Sequence, residues 1–298
     1  MMAASKTENF RGELLIDEPM SKHTSWRVGG PADRFYTPAD EKDLANFIAG
    51  LPANEPLFWL GLGSNLLVRD GGIRGTVICL QGSLADLHVM EGNRVYAGAG
   101  ASCGKLARFC CKENLIGAEF MAGIPGLLGG ALAMNAGAYG GETWALVERV
   151  STLDRRGYVS VRSASEFSVG YRTVHGPVDA GFISAVLKLV PGDGEAAAAN
   201  MRALLDKRNA SQPIGLPSCG SVFRNPTGDH AARLIEACGL KGKTIGGAQV
   251  SPKHANFIIN TGAATAKEIE ELILFVQQEV KTQQGIELHA EAKIVGEE

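Results

Sequence analysis

The chain has 298 residues, of which 45% are apolar and 20% charged, a composition that predicts folded domains and excludes a disordered protein. Its net charge of −3 leaves no basic excess for binding nucleic acid or an anionic membrane. Glycine accounts for 38 residues, nearly twice the typical share of ~7%. The glycines concentrate in residues 61–75, 117–141 and 215–247, which predicts places where the backbone approaches another group closely.

Targeting and cysteine patterns point to a cytoplasmic protein. No apolar run reaches the ~18 residues of a membrane-spanning helix, and residues 1–11 lack the apolar core of a signal peptide. Six cysteines show no paired spacing, and no HExxH or other metal-ligand cluster occurs. We therefore expect reduced, mostly buried thiols and no metal.

Predicted strands and helices interleave along the chain, which indicates a mixed α and β class. Residues 1–25 are predicted to be a flexible or lightly anchored entry. Apolar runs bounded by glycine predict strands at 57–62, 76–80, 94–99, 149–154, 158–162, 182–190, 257–260 and 286–295. Two helices are predicted in the first half: one at 40–50, with Asp40 as its cap, and one from Ser102 to before Gly117. A linker is predicted at 191–195, followed by helices at 196–209 and 229–238. The last predicted helix follows Thr265, which has capping-box spacing to Glu268.

A glycine-rich loop, Gly61 to Leu66, separates two of these strands. Gly61 and Gly63 leave the backbone free to turn its N–H groups toward a phosphate, and Ser64 and Asn65 add side-chain donors. A tight turn without a ligand explains the same residues. Two other glycine motifs, Gly98–Gly104 and Ala237–Thr244, only approximate a dinucleotide fingerprint and a P-loop, and we reject both.

The stretch Gly123–Gly141 is composed almost entirely of small and apolar residues, which suits backbone packing against a large flat or extended ligand. Pro125 is predicted at a first helical position, with the N–H groups that follow directed at an anion. Close helix packing is the alternative explanation.

Three further motifs carry reactive side chains. Ser221 follows a glycine and precedes Arg224 and Asn225, but the motif is not a nucleophile elbow. Cys219, two residues earlier, has no local histidine or cluster of cations that would activate its thiol. A Gly-Tyr-Arg run ends at Arg172, and the closing strand is predicted to place Glu287, His289 and Glu291 on one face.

The motifs follow one another in a fixed order: Gly61–Asn65 with Arg74–Gly75, Gly123–Gly141, Gly170–Arg172, Cys219–Pro226, Gly246–Ser251, His254–Asn260 and Gly285–Glu287. In that order the chain resembles the bacterial UDP-N-acetylenolpyruvoylglucosamine reductases, over about residues 20–296. It is similar to the shorter subtype, which lacks an extra tyrosine loop.

The resemblance implies an α+β protein with an FAD-binding fold of the vanillyl-alcohol-oxidase type and a C-terminal α/β substrate-binding domain. We expect one FAD-binding lobe at 1–82, a second at 83–200 and the substrate domain at 201–298, with the closing strand a candidate to return to the first lobe. The implied activity is NADPH-dependent reduction of the enolpyruvyl group of UDP-N-acetylglucosamine enolpyruvate, for peptidoglycan synthesis. FAD would be held non-covalently. The partners would be NADPH and the UDP-sugar, without nucleic acid or membrane.

Matching the family's motifs residue by residue implies three catalytic side chains: Arg172, Ser221 as proton donor, and Glu291. The cofactor-binding candidates lie in the two glycine-rich segments: Gly61, Gly63, Ser64, Asn65, Leu66, Gly123, Ile124, Pro125, Gly126, Gly129, Gly130, Asn135, Gly137 and Ala138. The substrate-binding candidates are Tyr171, Arg224, Asn225, Lys241 and His254.

The chain departs from the family pattern at a few positions. Arg224 stands where lysine is commoner, Ala290 where proline is usual, and Lys293 where arginine is usual, so the role of Lys293 stays open. Two other functions remain as alternatives: an FAD-dependent oxidase of the same fold acting on an alcohol or sugar, and a nucleotide-binding module without catalysis.

Overall fold

The computed structural model describes residues 10–177 and 181–298 of the chain. The strands are β1 (Glu13–Pro19), β2 (Pro31–Thr37), β3 (Leu57–Leu60), β4 (Leu66–Val68), β5 (Ile73–Cys79), β6 (Leu87–Met90), β7 (Arg94–Gly98), β8 (Leu115–Ile116), β9 (Gly137–Ala138), β10 (Gly141–Glu142), β11 (Val147–Leu153), β12 (Val159–Ser163), β13 (Ser168–Gly170), β14 (Thr173–His175), β15 (Gly181–Lys188), β16 (Val190–Pro191), β17 (Thr244–Ile245), β18 (Ala248–Val250), β19 (Ile258–Asn260) and β20 (Lys293–Val295). The helices are α1 (Glu41–Gly50), α2 (Cys103–Lys112), α3 (Leu128–Ala133), α4 (Gly194–Ser211), α5 (Ala231–Ala237) and α6 (Ala266–Gln284).

The N-terminal sheet has the strand order β1-β2-β5-β3, with β1 and β2 antiparallel and the others parallel. Helix α1 covers it and begins as predicted, because the Asp40 side chain accepts a hydrogen bond from the Asp43 backbone at 2.9 Å. Its face of Leu44, Phe47 and Ile48 is buried, which confirms the predicted apolar stripe. This sheet carries the glycine-rich loop at the end of β3.

The prediction of a flexible entry at residues 1–25 is wrong for its described part. Strand β1 pairs with β2 along its length, and Met20 just after it is fully buried. The sequence signal was weak because Leu14 and Ile16 of β1 are exposed, so the strand lacks a buried apolar face. Residues 1–9 lie outside the described part of the chain.

A second, antiparallel sheet of five strands follows, in the order β12-β11-β15-β7-β6. Ser102 caps α2 as predicted, accepting a hydrogen bond from the Lys105 backbone. The predicted linker at 191–195 is shorter than expected: Pro191 ends β16 and α4 already begins at Gly194, because Asp193 accepts hydrogen bonds from the first backbone N–H groups of that helix. Helix α4 crosses residue 200 and packs Met201 into the core of the second sheet.

The C-terminal part packs α5 and α6 against the short sheet β17-β18-β19. The capping box of Thr265 and Glu268 forms as predicted, and α6 ends at Gly285 in a left-handed conformation. The last strand, β20, leaves this part and pairs in parallel with β4 beside the glycine-rich loop.

The predicted closing strand at 286–295 is mostly wrong, since only Lys293–Val295 is a strand. The backbone N–H groups of Glu291 and Ala292 both donate to the Val222 carbonyl, an irregularity that breaks the alternation of side chains. As a result Glu287 is exposed and paired with Lys281, whereas Glu291 is largely buried. The prediction that the two glutamates share a face does not hold.

Trp26 joins the N-terminal segment to the C-terminal core. Its side chain is fully buried in the cluster formed by α5 and α6, and its indole N–H donates to the Ile258 carbonyl at 2.8 Å. The Asn260 side chain donates in turn to the Trp26 carbonyl at 2.9 Å. The first and last parts of the chain are therefore held together by hydrogen bonds between residues that lie more than 230 positions apart in the sequence.

We expect Trp26→Ala to lower the free energy of unfolding by about 3–5 kcal/mol, because it removes a large buried ring and a buried hydrogen bond. Denaturation by urea measures the change. Tyr158→Ala is the control, since Tyr158 is 64% exposed and its loss should change stability by no more than about 0.5 kcal/mol. Equal urea midpoints for the two variants would contradict the joining role of Trp26.

Candidate active site

The Gly61–Leu66 loop connects β3 to β4 and is fixed by neighbouring backbone. Gly63 has a φ of +60° and lies so close to the chain that a Cβ there would meet the His23 carbonyl oxygen at 2.0 Å. The Ser25 backbone N–H also donates to the Gly63 carbonyl at 3.1 Å. The glycine at 63 is therefore required by chain packing, and this holds the loop in one conformation.

The Gly123–Gly141 stretch forms the wall that faces the Gly61–Leu66 loop. The prediction that Pro125 starts a helix is wrong: the Gly126 N–H donates to the Ile124 carbonyl, which makes a tight turn at Pro125, and α3 begins only at Leu128. Gly130 in α3 faces open space, with no atom within 4 Å of a Cβ placed there. Small residues at this wall therefore keep a groove open.

Arg172 lies in the two-residue turn of the β13–β14 hairpin and has a φ of +55°. A left-handed conformation is uncommon for a residue with a long side chain and costs about 1–3 kcal/mol, which is typical of functional sites. The guanidinium donates through Nε to Glu291 Oε1 at 2.7 Å. Its terminal nitrogens donate to the carbonyls of Asn135 at 3.4 Å and Gly137 at 3.3 Å.

Ser221 and Glu291 are brought together by backbone pairing between residues 222–224 and 289–292. The Glu291 N–H donates to the Val222 carbonyl at 2.7 Å, and the Arg224 N–H donates to the His289 carbonyl at 2.9 Å. Buried Asn256 secures the first of these segments by bonding both the N–H and the carbonyl of Phe223. The Ser221 hydroxyl itself bonds to no other described residue, which leaves it available to a ligand.

Three adjoining cavities run from this cluster toward the N-terminal sheet. The reactive cleft, about 340 Å³, is lined by Arg172, Ser221 and Glu291 together. The loop cavity, about 160 Å³, is lined by the whole Gly61–Leu66 loop. The lobe cavity, about 290 Å³, lies between β3 and the first residues of β15. The cavities are neighbours, since the loop cavity shares lining residues with each of the other two.

The cofactor candidates line these cavities, with one exception. The loop cavity is lined by the candidates of the Gly61–Leu66 loop together with Gly126 and Gly130. The lobe cavity is lined by Gly129 and Gly130. The reactive cleft is lined by Gly123, Ile124, Pro125, Gly137 and Ala138. Asn135 instead lies behind the wall. It is 1% exposed, and its amide bonds the Glu142 side chain and the Gly170 carbonyl. It therefore supports the Arg172 hairpin from behind.

The substrate-binding candidates lie outside the lining of the reactive cleft. Tyr171 packs its ring against the Arg172 guanidinium, 5.1 Å from the ring centroid. Asn225 accepts a hydrogen bond from the Ala231 backbone, and Lys241 pairs with Glu236 at 2.6 Å. Burial lowers the pKa of His254. Arg224 differs from Tyr171, Asn225 and Lys241, because its buried Nε has no partner among the described residues.

Sequence reasoning missed several residues of the reactive cleft, among them Arg208 and Tyr139. Arg208 lines it near the end of α4, donates to Gln212 at 2.9 Å, and has a pKa lowered by burial. Nothing in the sequence separated it from its exposed neighbour Lys207. Tyr139 lines the same cleft and donates to the Leu204 carbonyl at 2.9 Å, which ties the glycine-rich wall to α4.

Cys219 also lines the reactive cleft, but its thiol is poorly suited to act as a nucleophile. Burial, with the Glu291 carboxylate nearby, raises the pKa of Cys219 well above its usual value. The thiolate needed for attack is therefore disfavoured. All six cysteines lie in the described part of the chain and are free, as predicted.

Comparison with protein families gives two matches. Residues 32–161 match the FAD binding domain model, and residues 212–295 match the model of the UDP-N-acetylenolpyruvoylglucosamine reductase C-terminal domain. No helix in the described ranges is both long and apolar enough to cross a membrane.

Full-length relatives are similar throughout. The chain is 60% identical to a UDP-N-acetylenolpyruvoylglucosamine reductase of Alkalilimnicola ehrlichii, over all of this chain and 99% of that protein. It is 59% identical to the enzyme of the same name from Methylococcus capsulatus, over 99% and 97% of the two chains. A crystal structure of the Thermus caldophilus enzyme superimposes with a TM-score of 0.80 at 34% identity, covering 95% of this chain and 98% of that one. These matches confirm the predicted α+β fold with an FAD-binding part and a C-terminal domain.

Proposed function

This chain belongs to the UDP-N-acetylenolpyruvoylglucosamine reductase family, and from that premise we propose how its residues divide the work of the reaction. The protein is an FAD-dependent oxidoreductase that uses NADPH to reduce the enolpyruvyl group of UDP-N-acetylglucosamine enolpyruvate, giving UDP-N-acetylmuramate for peptidoglycan synthesis. The observation that carries the proposal is the meeting of Arg172, Ser221 and Glu291 in one cleft that adjoins the glycine-walled cavities.

The cavities fit FAD in shape and chemistry. The open space at Gly130 and the donors of Ser64 and Asn65 suit an extended dinucleotide, and none of the described residues that line the loop and lobe cavities is acidic. We assign the pyrophosphate to the Gly61–Leu66 loop, with its free N–H groups. No histidine or cysteine lines these two cavities, which supports non-covalent binding.

The chemistry that FAD supplies when bound is hydride transfer, from NADPH to the flavin and from N5 to C3 of the enolpyruvyl group. Negative charge then develops at C2 and on the substrate carboxylate. We propose that Arg172 stabilises that charge through the second N–H of each terminal nitrogen, since Glu291 occupies Nε and the carbonyls of Asn135 and Gly137 take one N–H each. Glu291 thus fixes the orientation of the guanidinium, and the two side chains act as one unit.

Ser221 completes the reduction by donating its hydroxyl proton to C2, and solvent returns that proton. Gly220 before it has a φ of +79° and leaves the space beside Ser221 free of side chain. A serine hydroxyl is a weak acid, so transfer depends on its position beside the developing carbanion. Tyr171, Arg224, Asn225, Lys241 and His254 are proposed to bind the UDP portion of the substrate as it enters.

We extend the proposal to domains and location. The chain divides into FAD-binding lobes at 1–82 and 83–200 and a substrate domain at 201–298, with α4 spanning the second border and β20 returning to the first lobe. A cytoplasmic location is proposed, because both NADPH and nucleotide sugars are made there.

The proposal is tested with the purified protein under anaerobic conditions. We expect a yellow protein that releases FAD on denaturation and loses its flavin absorbance on addition of NADPH. Addition of UDP-N-acetylglucosamine enolpyruvate should restore the absorbance and yield UDP-N-acetylmuramate, detected by mass spectrometry. A colourless protein would refute the proposal and favour the nucleotide-binding module. Flavin reduction by an alcohol or sugar, without response to NADPH, would favour the oxidase.

A further inference from the structure

Lys293 is the charged residue of the loop and lobe cavities. It lines both, and every other described residue that lines them is apolar, glycine or uncharged polar. The charged catalytic pair Arg172 and Glu291 belongs to the reactive cleft instead. Among the described residues that line the loop and lobe cavities, Lys293 is thus the one cation.

The backbone of Lys293 is fixed beside the glycine-rich loop. Its N–H donates to the Asn65 carbonyl at 3.0 Å, and it pairs with Leu66 at the start of the parallel strands β20 and β4. The Lys293 ammonium forms no hydrogen bond or ion pair with any residue of the described ranges. The nearby carboxylate of Glu291 is already paired with Arg172.

We propose that Lys293 provides the positive charge that balances the FAD pyrophosphate and so selects for a phosphorylated flavin. This inference rests on the FAD-dependent function above. The pyrophosphate is a dianion, and the Gly61–Leu66 loop contributes only N–H and hydroxyl or amide donors. An exposed ammonium on a strand directly beside that loop supplies the missing charge without requiring a fixed geometry.

The test measures flavin affinity, not turnover. The full chain is freed of flavin, and dissociation constants for FAD and riboflavin are measured by fluorescence. We expect Lys293→Met and Lys293→Gln to weaken FAD binding by about 10- to 100-fold, the usual effect of losing a charge-assisted hydrogen bond. Riboflavin lacks phosphate, so its affinity should be unchanged. Lys293→Arg should bind FAD within about threefold of the wild type, since it keeps the charge.

The control is Lys281→Met, which removes the same charge from an exposed side chain paired with Glu287 and should leave both affinities unchanged. Raised salt should weaken FAD binding more in the wild type than in Lys293→Met, because only the former has a charge to screen. The midpoint potential of the bound flavin should be the same in both proteins.

Two results would overturn the inference. Unchanged FAD affinity in both uncharged variants would show that Lys293 does not bind the pyrophosphate. Equal losses for FAD and riboflavin, with a shifted midpoint potential, would place the charge against the flavin ring. Either result is compatible with the proposed function, because the wild-type protein would still bind FAD and catalyse the reaction. Failure of the wild type to bind FAD at all would refute the function itself.

Discussion

Replacing Ser221 with alanine is expected to abolish reduction of the enolpyruvyl substrate while leaving reduction of the flavin by NADPH nearly intact. The reason is that Ser221 is proposed to act only in the second half-reaction. Its hydroxyl lines the reactive cleft with Arg172 and Glu291 and bonds to no other described side chain or backbone group. Loss of a positioned general acid lowers a rate by about 10²–10⁴-fold.

Stopped-flow absorbance separates the two half-reactions. Under anaerobic conditions the flavin is first reduced by NADPH, and the reduced protein is then mixed with the enolpyruvyl substrate. Ser221→Ala should match the wild type in the first step, within about twofold, and fall by about 10²–10⁴-fold in the second. Ser221→Cys keeps a transferable proton and should recover part of the lost rate.

Ser218→Ala provides a matched control, because Ser218 lies three residues earlier in the same segment and its hydroxyl bonds only to the Leu216 carbonyl. It should leave both steps unchanged. Equal slowing of the two half-reactions in Ser221→Ala would reject the proton-donor role and point to a general disturbance of the cleft.

Local chemistry made parts of the fold predictable. Helix α6 follows from the capping box of Thr265 and Glu268 together with its apolar stripe, and both signals lie within one helix. Helix α1 follows in the same way from Asp40. Strand β1 did not follow, because its stability comes from pairing with β2 and not from a buried apolar face of its own.

The site depends on contacts that no local pattern contains. Arg172 and Glu291 meet although they are 119 residues apart in the chain, and Asn65 bonds the Glu291 carbonyl across 226 residues. Periodicity cannot pair such segments. Family resemblance placed Arg172, Ser221 and Glu291 in one site, whereas Arg208 and the cavity-lining position of Lys293 required the folded chain.

The glycine excess has two physical causes that composition cannot separate. Gly130 faces open space in the groove, where a side chain would take up room for the cofactor. Gly141, in the same cluster, is needed by the protein itself, because a Cβ there would lie 2.4 Å from the Phe120 ring. The cluster 117–141 is therefore both a wall of the groove and a tightly packed piece of chain.

The second large effect is expected for Arg172→Ala, which should slow reduction of the enolpyruvyl substrate by about 10²–10³-fold. The guanidinium is largely buried, with 16% of its side chain exposed, and Glu291 holds its Nε. Without it, the charge that develops on the substrate carboxylate would lose the guanidinium that Glu291 orients. Flavin reduction by NADPH should again be nearly unchanged.

Arg172→Lys separates charge from geometry. A lysine ammonium keeps the positive charge but cannot bond Glu291 and a substrate carboxylate at once through a planar fork. We expect an intermediate rate. Arg162→Ala is the matched control, since Arg162 also bonds neighbouring side chains, Thr152 and Glu166, but lies outside the reactive cleft.

A double-mutant cycle with Glu291→Gln tests whether Arg172 and Glu291 act as one unit. If Glu291 works by orienting the guanidinium, the double variant should be about as slow in the second half-reaction as Arg172→Ala alone. If the rate losses of the two single variants instead multiply in the double variant, Glu291 acts on the substrate independently of Arg172. A normal rate of substrate reduction in Arg172→Ala would remove Arg172 from the catalytic machinery.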